Sequence, residues 1–131
     1  DRISKDENLK DIKKCEDILK KLTGKRPVLY APPYGERGPA VLQAANEAGY
    51  KTILWSIDTV DWKRPPADSI VEKVVSNAHN GAIVLIHPTE PTVGALSRII
   101  KELKDQGYAL VTVSQLLREE NNISSTIDER E

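Results

Sequence analysis

A parallel α/β fold is what this sequence predicts, and three observations predict it. Helical and strand patterns alternate along the chain in the order αβαβαβαβα. The runs TILWSI (52–57) and AIVLI (82–86) are apolar without alternation, as strands covered on both faces must be. Glycine and proline punctuate the joints, with Gly24, Gly49 and Gly107 ending helical patterns and Pro39 in the first turn of another. Strands joined in this way lie parallel, with right-handed crossovers. Four of them make a small open sheet or part of a barrel, and in either architecture function gathers at the C-terminal strand ends.

The elements follow in order. Ser4 and Glu7 form a capping box before a helix carrying Leu9, Ile12, Cys15, Leu19 and Leu22 on one side. Glu16–Lys20 and Asp17–Lys21 are i,i+4 pairs in the favourable direction. PVLYA (27–31) is a short strand, and Val41, Leu42, Ala45 and Ala48 mark a second helix. KTILWSID (51–58) is the next strand. Ile70, Val71, Val74, Val75 and Ala78 give a third helical stripe, and the Asn80-Gly81 turn leads into AIVLIH (82–87). Val93, Leu96, Ile99, Ile100 and Leu103 give a fourth stripe. YALVTV (108–113) is a last strand, with Ser114 capping a short final helix. Residues 1–118 therefore form one domain-like region. Residues 119–131 are polar and charged, apart from Ile123 and Ile127, and read as a loose tail.

Composition removes several classes of function. The formal charge is −1, spread along 131 residues. That distribution argues against a nucleic-acid face or a polybasic membrane patch. No apolar run approaches the roughly 20 residues of a bilayer span, and the first residues do not resemble a signal peptide. A single Cys15 allows no internal disulfide and, alone, no zinc site; its place beside Ile12 and Leu19 reads as packing rather than a nucleophile. Phe and Met are both absent, so either the numbering follows processing or the chain is a piece of something longer.

Three of the four strand ends carry residues suited to chemistry. The first is followed by Ala31-Pro32-Pro33-Tyr34-Gly35, the second by Asp58-Thr59-Val60-Asp61-Trp62, and the third by His87-Pro88-Thr89. His87 is either a satisfied, partly buried histidine or a general acid, and a carboxylate such as Asp61 beside it would fix its tautomer for the second role. Asp58 and Asp61 could equally cap a turn before Pro65. Trp62 in a polar loop suits stacking on a sugar, or plugs a barrel end. The Tyr34 backbone N–H could serve as an oxyanion donor, or Gly35 could simply complete an ordinary turn. His79, near the end of the third helix, reads as surface.

APPYG (31–35), DTVDW (58–62) and LIH (85–87), in this order, resemble three motifs of the polysaccharide deacetylases, the NodB-homology or carbohydrate esterase family 4 group. Those motifs typically read Arg-Pro-Pro-Tyr-Gly, Asp-x-x-Asp-Trp and Leu-x-His. The HPT at 87–89 is similar to a sporulation-associated subgroup. The resemblance covers nearly all of the chain except the tail. It implies a distorted (β/α) barrel, of which this chain is a C-terminal portion with about four strands, hydrolysing N-acetyl groups of peptidoglycan or a chitin-like glycan. It implies His87 as the general acid, Asp61 as its partner and the Tyr34 N–H at the oxyanion. Trp62, Leu85 and Pro33 would lie on the substrate. It also implies a bacterial, extracytoplasmic or cell-envelope setting and a divalent metal, zinc first among candidates.

Two departures qualify that expectation. Ala31 stands where the family carries an arginine, and a methyl group cannot orient a carboxylate as a guanidinium does. Arg26, Arg37 or Arg64 would have to reach in instead. The family's Thr-Phe-Asp-Asp-Gly and His-x-x-x-His motifs, which supply the base and metal ligands, do not occur. No metal ligands or cofactor are thus assigned in this chain. It is expected to be inactive alone and to begin after the second motif, pairing with a missing N-terminal half or with another copy. The alternatives are a non-catalytic glycan-binding relative and a small α/β interaction domain.

Overall fold

The computed structural model describes residues 3–118. The tail expected at 119–131 lies outside the described residues. The described residues fall into two compact units, which part between Leu54 and Trp55.

In the first unit, α1 (Lys5–Thr23) opens on the capping box. The Ser4 side chain accepts from the Glu7 N–H at 3.2 Å, and the Glu7 carboxylate accepts from the Ser4 N–H at 2.8 Å. It closes on Gly24 at φ 70°, a left-handed conformation that costs glycine nothing. β1 (Leu29–Tyr30) runs parallel to β2 (Lys51–Thr52), with Leu29 opposite Lys51 and Tyr30 opposite Thr52. α2 (Pro39–Glu47) connects them, with proline in its first turn. Ile12, Ala44, Ala45 and Tyr50 form the core, with Leu9, Tyr30 and Ala48 packed against it. Two alanines on α2 let it lie close to α1, and the Tyr30 and Tyr50 rings meet edge to face at 6.3 Å.

The α1 stripe is only partly buried. Ile12 is inside, but Cys15, Leu19 and Leu22 are exposed, so the packing role expected for Cys15 is corrected. α2 is too short to cover the second half of a helix of 19 residues. Ile12, Cys15 and Leu19 instead line an open cleft of about 850 Å3. Glu16, expected to pair with Lys20, turns to Arg26 at 3.1 Å and accepts from the Tyr50 hydroxyl at 2.8 Å. Burial first, then this bond, push the Tyr50 hydroxyl up to about 12.

In the second unit, β3 (Ile57–Asp58) is parallel to β4 (Val84–Leu85), with Ile57 opposite Val84 and Asp58 opposite Leu85. α3 (Ala67–Ser76) and α4 (Glu90–Asp105) pack through Ile70, Val71 and Val74 against Ala95, Ile99 and Leu103. Each fully buried aliphatic here contributes roughly 1.5–3 kcal/mol. The α4 stripe is wider than its buried face: Val93, Leu96 and Ile100 remain exposed.

Two strand expectations change. The single strand at 51–58 becomes β2 and β3, because each half finds a different parallel partner: the Ile53 N–H still donates to the Tyr30 carbonyl, whereas the Ser56 N–H donates to Ile83. The run 108–113 forms no ladder among the described residues, and 113–118 is helical. Its cap is Thr112 rather than Ser114: the Thr112 N–H donates to the Gln115 side chain at 2.9 Å, and the Thr112 hydroxyl accepts from the Gln115 N–H at 3.3 Å. Threonine three residues before glutamine satisfies both donors at once.

Candidate active site

The loop leaving β3 is held by its own side chains. Asp58 accepts from the Val60 N–H at 2.9 Å, so the turn-capping reading holds for this carboxylate. The buried Thr59 hydroxyl donates to the Leu85 carbonyl at 2.9 Å, fastening the loop to β4. Val60 and Arg64 both sit at φ 55°, flanking a 3-10 turn at Asp61–Lys63. A β-branched residue in the left-handed region is strained by about 1–2 kcal/mol, and the surrounding bonds hold it there. This turn carries Asp61 inward and Trp62 outward.

Asp61 is completely buried. Its Oδ1 accepts from His87 Nδ1 at 2.7 Å. Its Oδ2 accepts from the His87 backbone N–H and from the Thr92 hydroxyl, both at 2.6 Å. Burial pushes the carboxyl pKa up, but the His87 N–H, the Thr92 hydroxyl and the His87 ring, with a smaller part from Thr59, outweigh it and hold the group down at about 2. Asp61 is therefore an anion at neutral pH, held by hydrogen bonds at both of its oxygens.

An ionised carboxylate only accepts, so His87 Nδ1 carries the hydrogen and Nε2 is the atom free to exchange a proton. The His87 side chain is 42 % exposed, which leaves the ring accessible while its partner is sealed. Such a pair can give or take a proton at Nε2. Trp62, next along the turn, is 59 % exposed, with the Lys63 ammonium 5.1 Å from its ring centre. Leu85 is half-buried in β4, with its carbonyl taken by Thr59.

Pro33 and Tyr34 belong to the first unit, in a 3-10 turn at Pro33–Gly35. Tyr34 itself takes the left-handed conformation, at φ 59°, as does Gly35 at φ 67°. Its side chain is fully exposed, and its N–H donates to no described residue. Ala31 is exposed just before the buried Pro32. Arg26 is committed elsewhere, pairing with Glu16, donating to the Ala48 carbonyl and lying over the Tyr50 ring at 5.0 Å. His79 is exposed, as expected, but lies beyond the end of α3; its Nε2 is 2.9 Å from the Ser56 hydroxyl and its Nδ1 2.9 Å from the Asn80 carbonyl.

Sequence reasoning found Asp61 and His87, which the structure brings together, and missed Thr59 and Thr92. The spacing of Thr89 and Thr92 could have marked a helix cap, since Thr89 does cap α4. Nothing local signals that Thr92 also reaches Asp61. Among the described residues, no three His, Cys, Asp or Glu side chains form a group that could hold a metal, and no helix is long and apolar enough to cross a membrane.

The strand ends of a parallel α/β frame thus carry a carboxylate–imidazole pair, and comparison with known proteins shows what the chain resembles. Residues 1–53 match the family model described as polysaccharide deacetylase. A peptidoglycan-N-acetylglucosamine deacetylase of Bacillus cereus is 51% identical over 100 residues, covering 72% of this chain and 47% of that protein. The solved structure of the peptidoglycan deacetylase PdaC from Bacillus subtilis superposes with a TM-score of 0.85 at 37% identity, over 98% of this chain and 63% of that one. BA3943, a carbohydrate esterase family 4 pseudoenzyme from Bacillus anthracis, gives 0.85 at 37% identity, over 88% of this chain and 41% of that one. The chain belongs to the polysaccharide deacetylase family, as a C-terminal NodB-type portion. It spans less than half the length of the first curated relatives it matches.

Proposed function

We propose that this chain is the C-terminal part of a metal-dependent N-deacetylase acting on peptidoglycan or a chitin-like glycan at the bacterial cell envelope. The observation that carries this reading is the buried Asp61 anion holding His87 by Nδ1 at 2.7 Å. Hydrolysis of an N-acetyl group adds water across the amide, breaks the carbon–nitrogen bond and requires a proton on the departing amine. His87 Nε2 would supply that proton, with Asp61 stabilising the imidazolium while it is charged. Trp62, Leu85 and Pro33 would contact the sugar or acetyl group, and the Tyr34 N–H, which has no partner among the described residues, would donate to the oxyanion. The family is generally metal-dependent, but the residues described here do not fit a metal, so its ligands and the catalytic base would come from another part of a family-length protein. The chain would pair with that part or, lacking it, with a second copy. The His87-Pro88-Thr89 run supports a place in the sporulation-associated subgroup.

A second reading, a glycan-binding pseudoenzyme, is favoured by Ala31 and by the likeness to BA3943. One experiment separates the two. The upstream segment of the Bacillus cereus deacetylase is joined to this chain, and acetate release from N-acetylated peptidoglycan and chitin oligomers is measured. Turnover that falls at least roughly a hundredfold in His87→Ala supports the first reading. Turnover unchanged by His87→Ala removes His87 from the chemistry. An inert hybrid that becomes active on Ala31→Arg supports the second. A native mass spectrum in metal-free buffer tests pairing, since a strictly monomeric chain would rule out self-association.

A further inference from the structure

We propose that Thr92 is a positioning residue for the Asp61–His87 pair, its hydroxyl gripping Oδ2 so that Oδ1 stays on His87 Nδ1. The inference deepens, and rests on, the reading of His87 as the general acid. A carboxylate can turn about the single bond that joins it to its side chain. Two of the three short hydrogen bonds on the Asp61 carboxylate come from His87 itself, the ring on Oδ1 and the backbone N–H on Oδ2. Those two tie Asp61 to one residue. Thr92, on the first turn of α4 and only 3 % exposed, supplies the third contact from a separate element, at 2.6 Å. Three donors from two elements leave the carboxylate plane one orientation.

The direction of every proton in this chain of contacts follows from the charge at its end. Asp61 cannot donate, so the Thr92 hydroxyl hydrogen points to Oδ2. The Thr89 hydroxyl, 2.8 Å from the Thr92 oxygen, must then donate to it, and accepts in turn from the Thr92 N–H at 3.4 Å. The sequence of donation is Thr89 to Thr92 to Asp61. Polarisation along such a chain strengthens the last bond. Thr89 caps α4 and Thr92 lies in its first turn, and the fold connects that turn to Asp61 and His87.

The test reads the His87 ring in the 15N-labelled chain by long-range proton–nitrogen NMR. The wild-type ring is expected to show a single state protonated at Nδ1. Thr92→Val should shift the averaged ring-nitrogen signals toward the Nε2–H tautomer, Thr92→Ser should restore the wild-type signals, and Thr89→Ala should produce a smaller shift in the same direction. A His87 ring unchanged in a folded Thr92→Val overturns the proposal. A second measurement needs no variant: the Thr92 hydroxyl proton should appear as a separate, slowly exchanging resonance, and averaging with water overturns the proposal even if Thr92→Val fails to fold. In an active hybrid, Thr92→Val should lower kcat roughly tenfold with KM little changed. The NMR readouts do not depend on turnover. A responsive ring in a hybrid indifferent to His87→Ala would therefore sink the general-acid reading and leave the geometry of the pair intact.

Discussion

Two turns in this molecule use the same unusual backbone and solve opposite problems. The turn at Asp61–Lys63 is bounded by left-handed Val60 and Arg64, and around it Asp58 accepts from Val60, Thr59 donates to Leu85, and His87 and Thr92 donate to Asp61. The turn at Pro33–Gly35 also holds a left-handed non-glycine residue, Tyr34, yet its side chain is fully exposed and its N–H has no described partner. One turn spends its strain to fix a buried charge. The other presents a backbone N–H with no partner among the described residues. Strain of similar size therefore marks two kinds of local design, rigid and sealed against rigid and open.

The largest expected effect strikes the sealed turn. Asp61→Ala removes the acceptor for three donors at once and leaves a cavity, so the second unit should lose about 3 kcal/mol. Hydrogen exchange at Ile70 and Val74 would report it; protection equal to wild type would mean the cluster is not cooperative. The next effect is acidity. The Asp61 pKa is lower in the folded state than unfolded, so its contribution is fully present above the ordinary carboxylate range and is lost as pH falls through about 2. The loss should amount to about 2 kcal/mol between roughly pH 4 and pH 2. Asp61→Asn should flatten that dependence, and an unchanged acid profile in this variant would assign it to other carboxylates. The smallest effect belongs to the open turn. Tyr34→Gly gives up no buried surface and relieves the left-handed strain, though glycine costs entropy in the unfolded chain. A net gain of roughly 0.5 kcal/mol in urea denaturation is expected; a clear loss would show that the tyrosine ring makes a contact of its own.

How much was legible beforehand depends on how far apart the partners lie. The Ser4–Glu7 capping box, the glycine at the end of α1 and the proline opening α2 were read correctly, because cap and helix are neighbours in the chain. The helical stripes located every helix core but overstated burial. Periodicity says which residues share a face and not whether another element covers it, which is why Cys15, Leu19 and Val93 end in solvent. The strands suffered most. An apolar run announces strand character, but the ladder depends on a partner, and 51–58 divides where its partners change.

By itself the sequence determined the alternating α/β class, the helix boundaries set by caps and glycines, and the residue types from which a strand-end site could be built. Only the tertiary structure decided that Asp61 would be sealed, that His87 would be held by Nδ1, that Thr92 would close the cluster, and that Arg26 would be drawn to Glu16 and Tyr50. The physical reason is range. Capping and periodicity act over a few residues, where the chain cannot avoid itself. Asp61 meets partners 26 and 31 residues away, and that encounter exists only once β3, β4 and α4 have packed.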